Sequence, residues 1–503
     1  MARPDLSPPL RLLTESPEEV LRLLREGWID YLAPANDQFT DLHVLYALKS
    51  GLLERCAAAF PDPRLDPEIP LRVLLTASVA GAFQGEYALC QAGCALHSPA
   101  LLAELGVNAQ WLRPGAGLSR RGTEAPALFH PDTLRKLLLQ VAEGDREAGR
   151  LPGASLIDWW NESVGPAFRR GAGGGVGVWI LDATKLLVNR KNPRYEGSAA
   201  SKDEEERPIR GYKLGLLSTL IDAGRLIVRV GWDSVRVGDA TGTWPLVRAA
   251  PPLEQGDTLL HDRGLLDGET LTTLKRDLGV DTVCPLRRPM LAYRLAVARA
   301  RERKHRWQPH PTRKKQQLQK VEKIGGPWEA CAVPLHGCVV REYDPEHREA
   351  AEDGYRYWVF ATTNLERSAR GIIQDYETRS ECEEDHRQTK GPDWEMDEFT
   401  STRLVEILFH VLVVLFAYNL CQLYGLTEAG QRFAGKTKKA RRRELRRQER
   451  KTVVVAGPFY AVLPELDVHE VLIEAEGDPR ERLRTVIRRQ KAVRLAAYQA
   501  SSR

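Results

Sequence analysis

Cysteine is scarce in this chain: eight thiols, at positions 56, 90, 94, 284, 331, 338, 382 and 421, are spread over 503 residues. Such thin usage fits thiols kept reduced in a cytosol better than a disulfide framework. Cys90 and Cys94 lie one helical turn apart with His97 nearby, but no second pair at finger-like spacing accompanies them. They read as buried small residues, not as half of a zinc site. Long apolar runs are lacking as well. The longest, Ile407 to Ala417, is interrupted by His410 and falls well short of the roughly 20 residues that span a bilayer, so no membrane partner is expected. The opening residues, Met1-Ala-Arg-Pro-Asp-Leu-Ser-Pro-Pro9, have no basic segment leading into an apolar one, which argues against a secretory or transit leader. A soluble, cytoplasmic protein is the expectation. Nor does charge of one sign dominate: 73 Lys and Arg against 68 Asp and Glu leave a net charge of +5, too mild to announce a nucleic-acid partner unless it is clustered.

What is present is an ordinary globular composition, 43% hydrophobic and 28% charged, on a chain long enough for several folded units. Residues 1–169 read as a helical N-terminal region, with helices over Ser16 to Leu24, Pro70 to Ala82 and Pro131 to Gly144. The run Arg170-Gly-Ala-Gly-Gly-Gly175 predicts a hinge. Strands are expected beyond it: Val176 to Val188, Lys213 to Ile221, Leu226 to Trp232, Asp257 to His261 and Val280 to Leu286, with a helix over Asp267 to Leu278. That order predicts an α/β core with a mixed sheet. Residues 288–354 are basic and aromatic-studded, with β-like runs at Glu329 to Val333 and Cys338 to Tyr343, and read as a β-rich insertion. The core resumes over 355–425: a strand at Tyr355 to Thr363, a polar helix at Arg370 to Lys390, and an apolar helix from Thr402 to about Leu423 suited to cover one face of the sheet. Residues 426–503 form a basic C-terminal region, suited to DNA contact or dimerisation. Ten of the sixteen residues from Lys436 to Lys451 are Lys or Arg, and another basic helix spans Asp478 to Tyr498.

Three carboxylates stand out. Asp182 lies inside the apolar strand Trp179-Ile-Leu-Asp-Ala-Thr184, where a charge costs several kcal/mol unless it is paired or binds a metal. Asp262 ends the strand before Arg263-Gly264; acids there also serve as caps and turn formers. In the polar helix, Glu377, Glu381, Glu383, Glu384 and Asp385 compete. At about 100° per residue only Glu383 shares an arc of roughly 60° with Tyr376, Arg379 and Lys390. A solvated helix laced with i,i+4 pairs such as Glu383 with Arg387 is the bland alternative.

Tyr376, Arg379, Glu383 and Lys390 together spell Tyr-x2-Arg-x3-Glu-x6-Lys, and this pattern resembles the signature of the insertion-sequence-four family of bacterial DDE transposases. Asp182-x-Thr184 and Asp262-Arg-Gly resemble the family's first and second acid motifs. The resemblance covers about residues 175 to 425, with departures at Leu265, Ser380 and Cys382. It implies a ribonuclease H-like catalytic core whose Asp182, Asp262 and Glu383 hold two Mg2+ ions, with Mn2+ able to substitute. It further implies DNA cleavage by water and then joining by the released 3′-hydroxyl, and a nucleoid-associated protein. Arg379 and Lys390 would hold a DNA phosphate, and Tyr376 would touch the backbone near the cut. Trp358 would stack on a flipped base, or else is a core aromatic of its strand. The partners implied are double-stranded DNA, as terminal inverted repeats and target, and a second copy in a homodimer. The basic stretches Arg299 to Lys323, which holds Trp307, and Lys436 to Lys451, with Lys436, Lys438, Lys439, Arg441, Arg442 and Arg443, are candidate phosphate contacts. End recognition is assigned to the N-terminal helices. A metal-dependent nuclease or junction resolvase of the same fold, and a DNA-binding derivative without catalysis, are the alternatives.

Overall fold

The computed structural model describes residues 14–34, 38–96, 98–107, 128–203, 205–248, 252–302, 307–325, 331–379, 386–433, 436–445, 451–457 and 459–501. The chain forms two compact units, one of residues 169–388 and the other of residues 1–168 with 389–503. Near their junction Gly173, Gly174 and Gly175 have φ of +95°, +62° and +102°, a run of left-handed backbone that glycine alone adopts cheaply.

The 169–388 unit is α/β, built on a ten-stranded mixed sheet. Its strands are β1 (Val178–Leu187), β2 (Ala199–Lys202), β3 (Pro208–Ile221), β4 (Gly224–Ser234) and β5 (Thr258–His261). They continue with β6 (Asp281–Pro285), β7 (Gln308–Pro309), β8 (Gln316–Gly325), β9 (Leu335–Tyr343) and β10 (Tyr355–Thr362). The sheet runs β2-β3-β1-β5-β6-β10-β9-β8-β7, with β4 also on the outer edge of β3. Among the described residues of this sheet, the β1/β5 and β5/β6 pairs are parallel and the others antiparallel. β1 is apolar without alternation because both its faces are covered. Trp179 and Leu181 enter one core with Trp244, Leu259 and Leu274, whereas Ile180 enters the opposite one with Leu260, Val283, Ile372 and Ile373. The second core lies beneath the helix Ala369–Thr378, whose N-cap Ser368 accepts a hydrogen bond from Gly371 N at 3.0 Å.

Residues 288–354 are β-rich, as expected, and their strands extend the sheet. β8 and β9 join β10 edge to edge, and the helix Leu291–Glu302 packs Tyr293, Ala296 and Ala300 against Val321, Val339 and Val359. The segment extends the sheet and shares its core. Of the run Glu329 to Val333, residues 329 and 330 lie outside the described residues. The basic stretch Arg299 to Lys323 is partly internal: Arg299 Nη1 donates to the carbonyls of Glu322, at 2.9 Å, and Lys323, and Trp307 lies under the Arg341 guanidinium, 4.0 Å from the ring centre.

In the other unit the helix Leu404–Gly425 is long and apolar enough to cross a bilayer, yet it is wholly buried. Its neighbours are the helices Gln38–Lys49, Leu71–Gln84, Asp132–Glu147 and Ala154–Trp159 of its own unit, where composition suggested one face of a sheet. A helix apolar on every side needs partners on every side, and a bundle supplies them where one sheet face cannot. The basic C-terminal region, expected to be helical, also contributes strands. Lys451–Ala456 and Phe459–Pro464 form a hairpin that pairs with Tyr31–Pro34 and Thr14–Glu15 in a four-stranded sheet. Helices Pro17–Arg25, Glu465–Glu474 and Gly477–Ser501 cover it through Val20, Leu24, Val468, Val471 and Leu483. The two ends of the chain therefore build one small α/β module.

The six described cysteines, 56, 90, 284, 331, 338 and 421, are all free, and Cys90 is exposed, against the expectation of a buried residue. His97 and the Cys94 side chain lie outside the described residues.

Candidate active site

The parallel β1/β5 pairing places two acids side by side. Its last registered pair is Leu181 with His261, and Asp262 continues in extended backbone, at φ −77° and ψ 161°. Asp182 and Asp262 therefore take the next position on neighbouring strands, where backbones run about 4.8 Å apart. Side chains alternate along a strand, so both acids face the same way as Ile180 and Leu260, toward the helix Ala369–Thr378.

Asp182 is 14% exposed and engaged on both oxygens. Oδ1 accepts from Ala183 N at 2.9 Å and lies 3.4 Å from Arg379 Nη2, and Oδ2 lies 3.2 Å from His386 Nε2. Burial opposes ionisation, but His386 and Arg379 outweigh it and hold the carboxyl below the usual carboxylate range. The Asp262 carboxylate differs. It is half-buried, makes no capping bond to the Arg263–Leu265 turn that follows, and has no ion-pair partner among the described residues.

Two other acids of these strands serve as a contrast. Asp257 is fully buried and accepts from Gly177 N at 2.7 Å, Glu254 N at 2.7 Å and Trp179 Nε1 at 2.9 Å. Asp281 pairs with Lys275 at 2.6 Å and accepts from Thr363 Oγ1 at 3.1 Å. Both stand where β5 and β6 begin and are satisfied by the fold. Asp182 lies at the middle of β1, just past its last pair with β5, and Asp262 lies directly after β5, so both stand at the opposite end of that pairing, the one where open α/β sheets collect their ligands.

Helical spacing brings Ile372, Ile373 and Tyr376 onto the sheet-facing side of the Ala369–Thr378 helix, and Arg379 follows one turn later. Tyr376 packs on Phe360 with ring centroids 4.7 Å apart, and burial pushes its hydroxyl up to about 12. Arg379 reaches Asp182 from the end of this helix, so its first partner is a carboxylate. Glu377, one of the competing acids, is tied to another segment: it accepts from Thr312 Oγ1 at 3.2 Å and lies 3.5 Å from Arg313 Nε. Glu383, with Glu381, Glu384 and Asp385, lies outside the described residues. Lys390 ends the helical turn 386–390 and belongs to the other unit, where its charge acts on Asp397. Trp358 is half-buried on the same face of β10 as Phe360, with the Arg356 guanidinium 4.8 Å from its ring centre.

His386 was missed by sequence reasoning. The signal that could have found it is its spacing in the sequence, three residues after the candidate acid Glu383.

The basic segment of the other unit divides by face. Lys438 and Arg441, 4% and 1% exposed, point inward on the helix Lys438–Leu445 and are corrected from phosphate contacts to structural cations. Lys438 Nζ donates to Ala82 O at 3.0 Å and Asp393 O at 2.6 Å over the Trp394 ring, and Arg441 Nη1 donates to Cys421 O at 2.6 Å. Ala82 and Cys421 sit near the C-terminal ends of their helices, where carbonyls attract cations. Lys439 and Arg443 are exposed, Lys436 is exposed and paired with Glu444 at 2.6 Å, and Arg442 is half-buried 5.9 Å from the Phe39 ring centre.

The donor set suits a hard divalent cation: two carboxylates on one face at one end of the strand pair, one of them without an ion-pair partner among the described residues. Among the described residues no three His, Cys, Asp or Glu side chains converge as a ready metal site, and Glu383 is not among those residues. No family model matches the chain, and no curated protein matches it.

Proposed function

We propose that this chain is a DNA transposase, which cuts DNA at the ends of a mobile element and joins those ends to a target. The observation that carries the reading is the register of β1 and β5, which sets Asp182 and Asp262 side by side beneath the helix of Tyr376 and Arg379. The order β4-β3-β1-β5-β6, antiparallel on one side of β1 and parallel on the other, supports reading the core as ribonuclease H-like. Asp182, Asp262 and Glu383 would hold two Mg2+ ions, or Mn2+ in their place. Ions held there would supply positive charge for the attacking and leaving oxygens of an in-line phosphoryl transfer. Double-stranded DNA is the substrate, and a second copy completes the complex.

The residues around the acids have separate tasks. Arg379 offers a planar fork of donors between Asp182 and an incoming phosphate. Tyr376, braced by Phe360, presents a fixed ring edge to the sugar-phosphate backbone. Purified protein incubated with Mg2+ and a duplex carrying the terminal inverted repeats that flank its gene should nick at the repeat boundary and then join the released 3′ end to a second duplex. Cutting without any joining would leave a nuclease. No cutting in Mg2+ or Mn2+ by a folded, DNA-bound protein would overturn the reading.

A further inference from the structure

Resting on the reading of this chain as a protein that acts on DNA, we infer that an exposed stripe of cations on the helix Gly477–Ser501, formed by Arg480, Arg484, Arg488 and Lys491, lies along the phosphate backbone of a DNA duplex. The four positions follow one another at i, i+4, i+8 and i+11, so at about 100° per residue they fall within an arc of about 80°. All four are exposed. Arg484 shares its charge with Glu481 at 2.6 Å, whereas Arg480, Arg488 and Lys491 have no ion-pair partner among the described residues. At about 1.5 Å per residue the stripe is about 16 Å long, a span over which a duplex presents about ten phosphate charges.

The fold holds this stripe in place. Leu483 and Val486 anchor the helix in the core of the small module, and Gly27, at φ +76°, lets its first turn approach so closely that a Cβ there would lie 2.7 Å from the Pro479 carbonyl oxygen. Two further arginines serve the anchoring. Arg482 donates to Glu26 O at 3.3 Å with its guanidinium 3.7 Å from the Trp28 ring centre, and Arg489 donates to Asp30 O at 3.0 Å. Lys438 and Arg441 turn inward on their own helix, whereas no cation of this stripe does. The opposite sign is gathered on the preceding helix: Glu465–Glu474 carries Glu465, Asp467, Glu470 and Glu474 and no Lys or Arg. A surface that only keeps a protein in solution intersperses its charges, and a strip of one sign is what attracts a polyanion.

The test is binding of the full chain to a duplex of random sequence, without divalent metal, over a series of salt concentrations. The triple variant Arg480→Gln, Arg488→Gln, Lys491→Gln should lower the slope of log affinity against log salt by about 2 to 3 and weaken binding at least tenfold at low salt, because each lost phosphate contact releases about one counterion fewer. The matching variant Glu470→Gln, Glu474→Gln should leave the slope unchanged. If the triple variant loses its fold, the single substitutions carry the test, each lowering the slope by about 1. An unchanged slope in the folded triple variant, or in all three folded single variants, would overturn the proposal, and if that protein still cuts and joins DNA the transposase reading stands without this surface. Polyglutamate competing as well as duplex at equal charge would also overturn it and assign the stripe to an acidic protein. Wild-type protein that binds duplex through the stripe but never cuts it in Mg2+ or Mn2+ would overturn the transposase reading and leave the surface standing.

Discussion

Arg441 donates from Nη1 to the Cys421 carbonyl at 2.6 Å while only 1% exposed, so a cation from the most basic stretch of the chain serves the interior. Its neighbour Arg443, two residues on, is exposed. Arg441→Ala should cost about 3 kcal/mol, because it strips charged donors from buried carbonyls and leaves a void. Arg443→Ala should change stability by less than about 0.5 kcal/mol. If the segment contacts DNA, Arg443→Ala should also flatten the slope of log affinity against log salt by about 1, without altering sequence preference. Urea denaturation and salt-dependent binding of the two variants separate the roles; equal stability losses would remove the division by face.

The two aspartates at the end of the β1/β5 pairing should behave differently when neutralised. Asp262→Asn removes a charge that no described residue pairs with, and should leave stability within about 0.5 kcal/mol of wild type. Asp182→Asn takes the carboxylate away from Arg379, which is 11% exposed, and should cost about 1 to 3 kcal/mol. Both should abolish Mg2+-dependent cleavage. Thermal melts of the pair without metal check the ordering, and a larger loss for Asp262→Asn would contradict the partner assignment.

Acid should weaken the 1–168/389–503 unit well above the carboxylate range. His43 and His410 are fully buried, and burial pulls them from 6.5 to about 3 and about 4. His43 lies among the rings of Phe39, Phe83 and Tyr424, and His410 Nε2 lies 3.1 Å from the Glu395 carbonyl. Between the folded and unfolded values the unfolded chain binds more protons, so stability is complete above pH 6.5 and falls as pH drops toward 4. His410 alone should contribute on the order of 3 kcal/mol to that fall. Denaturation midpoints at pH 7.5 and pH 5 should differ, and His410→Leu should shrink the difference; an unchanged difference would mean the imidazole is not the group that titrates.

The parts of the site legible in the sequence are those with local signals. Asp182 stands out because it interrupts an apolar strand, and Arg379 because it falls a helical turn from Tyr376. The pairing of Tyr31–Pro34 with Lys451–Ala456 was not legible, since strands more than 400 residues apart in the chain leave no joint signal in either one. The Thr452 to Val455 run also sat beside so many cations that composition masked it. Counting charges hid the faces of Lys438–Leu445, although Lys438, Arg441 and Leu445 are spaced as one helical stripe and Leu445 marks it as the inner one. The strands of segment 288–354 were legible, but not their pairing, because the union of β9 with β10 and the packing of Tyr357 and Val359 against Val321 and Val339 are set by tertiary contact.

Trp358 carries the last prediction, because its surroundings fit neither a solvent-facing platform nor a sealed core. It lies opposite Val340 on β9, half-buried, with Arg356 over one ring face, while its neighbours Tyr357 and Val359 fill the core on the other side of the sheet. Phe360 follows on the same face of β10 and touches Tyr376, so an aromatic strip leads from Trp358 toward the helix that ends at Arg379. Trp358→Ala should therefore cost about 1 to 2 kcal/mol, less than the roughly 3 to 5 kcal/mol of a fully buried aromatic. In the transposase reading, a base flipped out beside the cut would displace Arg356 and stack on the exposed part of the ring, worth about 1 to 3 kcal/mol. First-strand nicking should then proceed at the wild-type rate in Trp358→Ala, and the step after it should slow at least tenfold, with Trp358→Phe intermediate. Normal rates for both steps in a folded Trp358→Ala protein would confine this residue to packing. A slow second step rescued by an abasic nucleotide beside the cut would assign the loss to base stacking, since no base then needs to be held.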